Sequence, residues 1–375
     1  MLDERALDDV EALAAGDPSG VLRALAGAGA QVRRAADLAS ESGLARLDPG
    51  DRPRSVVVAA RGGAGVVADA VAALAGAGSP VPVIARTGDV LPGWVGPLDL
   101  LVAVSLSGGA GPAVQLAAEA GRRGARVITV GADDSSLSRV SAQVRGTHVA
   151  TPSARDAVTA PTTRTALWSL LTPVLLAGDR LGLWEAGDEE LAGLADALDA
   201  EAAAARPSSE TFVNPAKALA VELDGTIPVV LGDGPISAVA AARAATVLAR
   251  TARVPALAGT LPDDAGDVVA TFGGPFAARS EEDLFADPFL DGPTGPRLRL
   301  LLLREAGARA SAAVLDLAER SGVRVSEVVA EDASPLQRLG LLVARTDFAA
   351  TYLAIGCGTD PAVSPHVADL RDALS

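Results

Sequence analysis

The residues best suited to chemistry lie where an apolar run meets a helical segment, in Ser105-Leu106-Ser107-Gly108-Gly109. Two hydroxyl groups can donate hydrogen bonds to an oxyanion, and two glycines let the backbone approach it without a Cβ in the way. If the apolar run is a parallel strand, this segment lies at its carboxyl end, where helix N-termini attract anions. The same residues are also typical of a tight turn, so a phosphate site and a plain turn both stay open.

A second glycine-rich segment, Arg61-Gly62-Gly63-Ala64-Gly65, follows the apolar run 55–60. Such a turn can hold a nucleotide, but its spacing is not that of a P-loop. No acidic residue follows at the end of the next strand to bind a ribose. Dinucleotide binding is therefore not indicated, and the sequence predicts no cofactor and no metal site.

The charge balance argues against two classes of partner. The chain has 375 residues, of which 32 are basic and 47 acidic, and its formal net charge is −15. Nucleic acids and anionic membranes attract a basic face, whereas the arginines here are scattered along the sequence. We therefore expect neither nucleic acid nor membrane as a partner.

Localisation signals point to a soluble, cytoplasmic protein. The single cysteine, Cys357, cannot form an internal disulfide and fits a reducing compartment. The acidic N-terminal segment lacks the positive region of a signal peptide. The strongest apolar stretch, 166–178, is shorter than the ~20 residues that cross a bilayer.

Apolar runs alternate with helical segments, which predicts parallel sheets buried on both faces. The predicted strands are 55–60, 81–85, 100–105, 126–131, 227–234, 267–272, 297–305 and 323–330. The Pro- and Ser-containing segment 205–215 separates the two sets of strands. The chain is therefore predicted to be α/β, with doubly wound parallel-sheet domains at 1–204 and 205–375. Extra N-terminal helices over 3–43 are expected to pack on the first domain, and 273–296 is predicted to be a surface excursion.

Three segments carry a resemblance to a known family. Residues 102–144, with their Ser-x-Ser-Gly loop, resemble the sugar isomerase (SIS) domain. Residues 212–235 and 346–374 resemble the second half of the bifunctional phosphoglucose/phosphomannose isomerases. The motif in the last segment consists of Asp347, Tyr352-Leu353-Ala354, Asp360-Pro361 and Val363. The resemblance implies two flavodoxin-like SIS domains, a phosphorylated hexose as ligand and a homodimer, with the apolar helices 164–203 and 335–356 as candidate faces.

The resemblance also implies roles for individual residues. Phosphate would be bound by Ser105, Ser107, the backbone N–H groups of Gly108 and Gly109, and Gly63 of the first turn. Arg164 stands where the family has an arginine near the substrate, and a guanidinium there can bind phosphate or polarise a sugar oxygen. Its structural alternative is a surface arginine at a helix start.

Lys217, the only lysine of the chain, lies in an Asn-Pro-Ala-Lys segment that matches the family. The match implies that it contacts the ligand. The structural alternative is a lysine whose aliphatic stem covers its own helix.

The sequence departs from the family at the residues that perform isomerisation. Moving a proton between two carbons needs a base, but Arg250 stands at the position of the family's glutamate and Gly266 at that of its ring-opening histidine. Ala64 and Ala110 stand where the family has a serine and a threonine. His148 and His366 lie in other segments, and we interpret His148 as a structural group at a domain edge and His366 as a helix-surface residue.

Two hypotheses follow. The first is a phosphosugar-binding protein of the phosphoglucose/phosphomannose isomerase type, which interconverts glucose 6-phosphate or mannose 6-phosphate with fructose 6-phosphate, with weak or absent turnover. The second is an active aldose–ketose isomerase in which Asp263, Asp264 or Asp267 replaces the missing base. Three acids beside glycine are also typical of a solvated loop, and we favour the first hypothesis.

Overall fold

The computed structural model describes residues 2–152, 162–277 and 295–373, apart from 306, 308 and 332. Most of the predicted excursion 273–296 therefore lies outside the described residues. The chain divides into two compact units. Ala26–Asp199 forms the first unit, and Met1–Leu25 together with Ala200–Ser375 forms the second.

The first unit contains a five-stranded parallel sheet in the order β2-β1-β3-β4-β5. Its strands are β1 (Ser55–Ala60), β2 (Val83–Arg86), β3 (Asp99–Ser105), β4 (Arg126–Gly131) and β5 (Thr147–Ala150). Its helices are α4 (Ala28–Glu41), α5 (Gly65–Ala75), α6 (Gly111–Arg122), α7 (Ser136–Gln143) and α8 (Leu167–Arg180), followed by α9 (Asp188–Ala204). Every residue of β1 and β3 is buried, as expected for parallel strands that form unbroken apolar runs.

The second unit contains a four-stranded parallel sheet in the order β7-β6-β8-β9. Its strands are β6 (Thr226–Asp233), β7 (Leu257–Leu261), β8 (Arg297–Glu305) and β9 (Arg324–Ala330). Three helices precede the first unit in the sequence: α1 (Glu4–Asp8), α2 (Val10–Gly16) and α3 (Val21–Ala26). The others are α10 (Pro215–Leu223), α11 (Pro235–Val247), α12 (Ala265–Ala270), α13 (Ser311–Arg320), α14 (Pro335–Gly356) and α15 (Pro365–Ala373).

The N-terminal helices do not all pack where the sequence pattern indicates. Residues up to Leu25 group with the second sheet rather than the first. The backbone N–H of Asp3 donates to the carbonyl of Gly356 at 3.0 Å, and Gly16 lies directly against Ile355 of α14. Leu7 and Leu13 are fully buried in this arrangement, so α14 supplies the apolar cover that these short helices need.

One predicted strand, 267–272, is wrong, because this segment forms α12 and a 3₁₀ turn at Thr271–Gly273. The strand of this βα unit lies earlier, at β7. Val268 and Phe272 are four residues apart, which places both on one face of a helical segment, and both are buried in the core. A short apolar run fits a strand and a helix equally well until its packing is known.

The two apolar helices proposed as dimer faces are core helices of the single chain. Every residue from Leu167 to Gly178 of α8 is buried, and α8 packs on α4 and α5 within the first unit. Helix α14 packs on α10 and α11 within the second unit. It is long and apolar enough to cross a membrane, but 89% of its most apolar window is buried inside the protein, which is typical of a core helix.

Candidate functional site

The candidate site is a pocket in the first unit, at the carboxyl edge of its sheet. The pocket encloses about 860 Å³. Parallel strands deliver their following loops to one edge, which is where ligands bind in open α/β sheets. Its polar lining consists of Arg61, Arg86, Ser105, Ser107, Asp133, Asp134, Thr151 and Thr163.

The loop from β3 to α6 presents two serine hydroxyls to this pocket. Ser105 ends β3 and is only 5% exposed, and its Oγ accepts a hydrogen bond of 3.4 Å from the N–H of Ala110. Ser107 is exposed, and its Oγ accepts one of 3.3 Å from the N–H of Gly109. Within the described residues neither hydroxyl donates a hydrogen bond. Each therefore keeps its proton for an acceptor in the pocket.

The N-terminus of α6 opens on the same pocket. Its N-cap residue is Ala110, which has no side-chain oxygen to accept from the first amides, and Pro112 occupies the first turn. Pro112, Ala113 and Leu116 of this helix line the pocket. Unpaired amides and the positive end of the helix dipole favour an anion here.

Glycines are required for the close packing beneath this loop. Gly108 has φ +62°, and a Cβ at this residue would lie 2.1 Å from Oγ of Ser135. A Cβ at Gly131 of β4 would lie 2.2 Å from the carbonyl oxygen of Ser105. Gly109 differs, because its Cβ would meet only Oγ of Ser107, at 3.7 Å. The loop therefore needs glycine at position 108 for its shape, whereas a Cβ at Gly109 would make only an ordinary contact. The N–H of Gly108 donates to the carbonyl of Ser105 at 2.9 Å, so both glycine N–H groups that the resemblance assigns to phosphate already donate within the loop.

Two arginines in the pocket were not identified from the sequence. Arg61 follows β1 and is exposed, and Arg86 is the last residue of β2. The guanidinium of Arg86 lies over Gly88, and its Nε is buried without a hydrogen-bond partner. The sequence signal was a basic residue directly after each of two predicted strands.

The opposite side of the pocket is acidic. Asp133 and Asp134 follow β4, and both are exposed. His148 lies nearby in the sheet, on the edge strand β5, where its Nδ1 is 2.8 Å from Oγ1 of Thr129. Burial lowers the pKa of His148, and the charge of Asp133 opposes this shift. The geometry agrees with the interpretation of His148 as a structural group at a domain edge.

Gly63 and Arg164 both adjoin Thr163, which lines the pocket, but neither is itself among the described lining residues. Gly63 lies in the 3₁₀ turn Gly62–Ala64, and a Cβ there would lie 2.3 Å from Oγ1 of Thr163. Thr163 lines the pocket, whereas Arg164 is half-buried and its N–H donates to Oγ1 of Thr162. Ala64 lines the pocket with a methyl group, as the departure from the family predicts.

Lys217 is buried with its ammonium on loop carbonyls, which differs from the structural alternative of a stem that covers its own helix. Its side chain is fully buried, and Nζ donates to the carbonyls of Pro207 at 2.8 Å and Ser209 at 2.7 Å. Nζ also lies 3.8 Å from Asp8 and 5.5 Å from the ring centroid of Tyr352. Burial lowers the pKa of Lys217, and Asp8 opposes this shift. The ammonium therefore holds the segment before α10 through hydrogen bonds to its carbonyls. A contact between Lys217 and a sugar-phosphate ligand stays a prediction.

Other residues of the C-terminal motif are also held in structural contacts. Asp347 of α14 forms a buried ion pair with Arg243 of α11, with Nη2 and Oδ2 2.6 Å apart. Burial raises the pKa of Asp347, and Arg243 opposes this shift. The hydroxyl of Tyr352 donates to the carbonyl of Ala205. Asn214 caps α10 by accepting from the N–H groups of Ala216 and Lys217 at 3.1 Å.

The three aspartates offered as a replacement base lie in the turn that starts α12. Asp263 and Asp267 are exposed. Asp264 is half-buried, and its Oδ2 accepts a hydrogen bond of 2.6 Å from the N–H of Thr260. Two exposed carboxylates and one that binds a backbone N–H are typical of a solvent-exposed loop at the start of a helix. This agrees with the interpretation of the three aspartates as part of a solvated loop.

The positions of the family's base and histidine are also occupied by structural elements. Arg250 lies in a π-helical turn, Leu248–Ala252, and its carbonyl accepts from Oγ of Ser364 at 2.9 Å. Gly266 lies in the first turn of α12. His366 is fully exposed on α15, which confirms its interpretation as a helix-surface residue.

In the second sheet, the protein supplies its own anion at a strand-to-helix corner. One carboxylate oxygen of Glu305 accepts from the N–H groups of Ile236 at 2.9 Å and Ser237 at 3.0 Å, at the start of α11. A Cβ at Gly234 would lie 2.2 Å from this oxygen. The corner between β6 and α11 therefore holds a carboxylate, whereas α6 in the first unit has no side-chain cap among the described residues.

Comparison with known proteins agrees with this architecture. Residues 212–374 match the family model of the bacterial phospho-glucose isomerase C-terminal SIS domain. The C-terminal domain of glucosamine-fructose-6-phosphate aminotransferase from Francisella tularensis matches with TM-score 0.62 and 15% identity, over 91% of this chain and 97% of that chain. Glucosamine-6-phosphate deaminase from Thermotoga maritima matches with TM-score 0.60 and 13% identity, over 92% and 97%.

A hypothetical protein from Thermus thermophilus matches with TM-score 0.62 and 15% identity, over 100% of this chain and 98% of that chain. No curated protein sequence matches the chain. At these identities the solved structures show the fold, and the family model shows the type of the second half. Both the fold class and the resemblance predicted from the sequence are confirmed. The chain therefore has two doubly wound parallel-sheet units, as in the SIS fold, and its residues 212–374 are similar to the bacterial phosphoglucose isomerase C-terminal SIS domain.

Proposed function

We propose that the protein binds a phosphorylated hexose in the pocket of the first unit and has weak or absent aldose–ketose isomerase turnover. One observation carries the binding proposal. Ser105 and Ser107 line the same pocket as the N-terminus of α6, which no described side chain caps. Hydroxyl donors and unpaired amides together form a good site for a phosphate dianion.

The size of the pocket fits a small phosphosugar. Ligand pockets in proteins enclose about 300–1,000 Å³, and this one encloses about 860 Å³. Two solved structures with this fold carry names that contain a sugar 6-phosphate. A shared fold does not fix the ligand, so the argument depends on the residues of the pocket.

The proposal of weak turnover rests on the residues that stand in the catalytic positions of the family. Arg250 cannot accept a proton, and Gly266 has no side chain to open a sugar ring. Of the aspartates that could replace them, Asp264 already accepts a backbone hydrogen bond and the other two are exposed. We further propose a cytoplasmic homodimer, as the family resemblance implies.

The proposal is tested by ligand binding and turnover on the same preparation. Glucose 6-phosphate, mannose 6-phosphate and fructose 6-phosphate are titrated by calorimetry, and their interconversion is followed in a coupled assay. We expect binding of at least one sugar phosphate with little turnover. Each of Ser105→Ala and Ser107→Ala should weaken binding about tenfold or more, because a hydrogen bond to a charged group contributes about 1.5–3 kcal/mol.

Ser40→Ala is the matched control, since Ser40 is exposed on α4 and its hydroxyl donates to the carbonyl of Asp37. Undiminished binding by both pocket variants would contradict the proposed site. Rapid turnover that is lost on replacing Asp263, Asp264 or Asp267 with asparagine would support the active isomerase instead. Binding of none of the three sugar phosphates would overturn the proposed function.

A further inference from the structure

Arg61 and Arg86 form a pair of basic side chains on one side of the pocket. Strands β1 and β2 are neighbours in parallel register, and Ala59 lies opposite Arg86. Arg61 is therefore two residues further along β1, at the edge of the sheet where the pocket opens. Neighbouring strands are about 4.8 Å apart, so both guanidinium groups can reach one bound group.

Arg61 and Arg86 differ from other arginines of the first unit in their ion pairing. Other arginines of the first unit form ion pairs, such as Arg54 with Asp99 and Arg33 with Asp196 and Asp199. In the described part of the chain Arg61 and Arg86 form none. This is unexpected in a protein with a formal net charge of −15, in which acidic partners are abundant.

Arg86 also has an unmet donor. Its Nη2 is 3.3 Å from the carbonyl oxygen of Val90, and its buried Nε has no hydrogen-bond partner among the described residues, as is also true of Arg304 and Arg338. Buried polar groups are nearly always hydrogen-bonded, so each exception needs an explanation. The planar fork of a guanidinium fits a carboxylate or phosphate through two parallel hydrogen bonds.

The phosphate corner lies at a different strand. In the order β2-β1-β3, Arg86 is two strands from Ser105, which corresponds to about 10 Å. A phosphate bound by Ser105 and Ser107 is therefore too far away for Arg86 to bind it directly, and Arg86 can bind another part of the ligand. Asp133 and Asp134 follow β4, on the other side of β3 from Arg86. Their negative charges disfavour a second anionic group of the ligand at that end of the pocket, and their carboxylates can accept hydrogen bonds from sugar hydroxyls.

We propose that Arg86, with Arg61, binds a second acidic group of the ligand, so that the pocket prefers a phosphorylated sugar acid or a sugar bisphosphate over a neutral hexose phosphate. This inference rests on the proposed function, because it takes the phosphate at Ser105 and Ser107 as the first anchor. Arg86 is then a specificity-determining residue, and the acidic group occupies the end of the pocket next to β2.

The test compares three probes by calorimetry on the full chain: glucose 6-phosphate, 6-phosphogluconate and fructose 1,6-bisphosphate. We expect at least one of the two doubly acidic probes to bind tenfold or more tightly than glucose 6-phosphate. The probe that is preferred distinguishes a carboxylate from a second phosphate. Arg86→Gln should abolish this preference, so the affinity for the preferred doubly acidic probe should fall about tenfold more than the affinity for glucose 6-phosphate.

Arg34→Gln is the matched control, since Arg34 is an exposed arginine of α4 in the same unit, and it should leave all three affinities unchanged. Arg86→Lys keeps the positive charge but loses the planar guanidinium group, so it should retain part of the preference for the doubly acidic probes. It also provides a second variant if Arg86→Gln does not fold.

Three outcomes would overturn the inference. Equal affinity of the wild-type protein for all three probes would remove the second subsite but leave the proposed function intact. An equal loss for all three probes in Arg86→Gln would place Arg86 on the phosphate that they share. Binding of none of the probes would overturn the proposed function together with the inference.

Discussion

At the scale of single residues, the pocket is defined by side chains whose roles depend on strand order. Ser105 could be located from the sequence, because an apolar run that ends in Ser-x-Ser-Gly marks the carboxyl end of a strand. Arg86 could not, because only the sheet order places β2 beside β1 and opens its edge to the same pocket. The burial of Lys217 was equally hidden, since its partners are carbonyls of a preceding loop.

His148 predicts a pH dependence of stability. Burial holds its pKa in the folded protein below the ordinary value of 6.5, so the unfolded chain binds more protons between these two pKa values. The folded state therefore loses stability as the pH falls through 6.5 and below. In His148→Gln, the free energy of unfolding in urea should fall less than in the wild type between pH 7.5 and pH 5.5.

His366→Gln is the control for this measurement, because His366 is the other histidine of the chain and is fully exposed. Its pH dependence should match that of the wild type. If the stability of His148→Gln has the same pH dependence as that of the wild type, the expected contribution of His148 is contradicted.

Lys217 predicts a separation of stability from binding. Lys217→Met keeps the length of the side chain but leaves two buried carbonyls without their donor. We expect it to lower the free energy of unfolding by about 2 kcal/mol or more, measured in urea at pH 7.5. Affinity for sugar phosphate should be unchanged under conditions where the variant is folded. Lost affinity with unchanged stability would instead assign Lys217 to the ligand.

At the scale of elements, the alternation of strands and helices was predictable and the short segments were not. Strands β1 and β3 follow unbroken apolar runs, and their observed bounds agree with the prediction within one residue. Segment 267–272 was misassigned, because two adjacent valines fit a strand as well as a helix. The placement of α1 and α2 on the second sheet depends on long-range packing against α14, which no local pattern encodes.

The loop between β3 and α6 predicts different effects for two adjacent glycines. Gly108→Ala places a Cβ at φ +62° and 2.1 Å from Oγ of Ser135, so it should lower the free energy of unfolding by about 1–3 kcal/mol and weaken sugar-phosphate binding. Gly109→Ala adds a Cβ that makes only an ordinary contact and should leave stability within about 0.5 kcal/mol of the wild type. Urea unfolding and calorimetry measure both effects. Equal stability of the two variants would contradict the loop geometry.

At the scale of the whole molecule, the two sheets differ in how they use their strand-to-helix corners. The corner before α6 presents uncapped amides to a pocket, while the corner before α11 is occupied by the carboxylate of Glu305. A chain with two similar sheets is therefore expected to bind one sugar phosphate. The two halves share an architecture that was predictable from the sequence, but the occupant of the second corner comes from β8 and was not.

Binding stoichiometry tests this difference. Calorimetric titration with glucose 6-phosphate, or with whichever sugar phosphate binds, should give one ligand per chain. Replacing Glu305 with Ala should leave that number at one and lower the free energy of unfolding, because the amides of Ile236 and Ser237 lose their acceptor. Two ligands per wild-type chain would contradict the assignment of the second corner.

The most direct test of the central claim is a crystal structure of the protein with a bound sugar phosphate, glucose 6-phosphate being the first choice. We expect phosphate oxygens within about 2.5–3.2 Å of Oγ of Ser105 and Oγ of Ser107, in front of the first turn of α6. A phosphate bound elsewhere, with the segment from Ser105 to Gly109 free of ligand, would contradict the account.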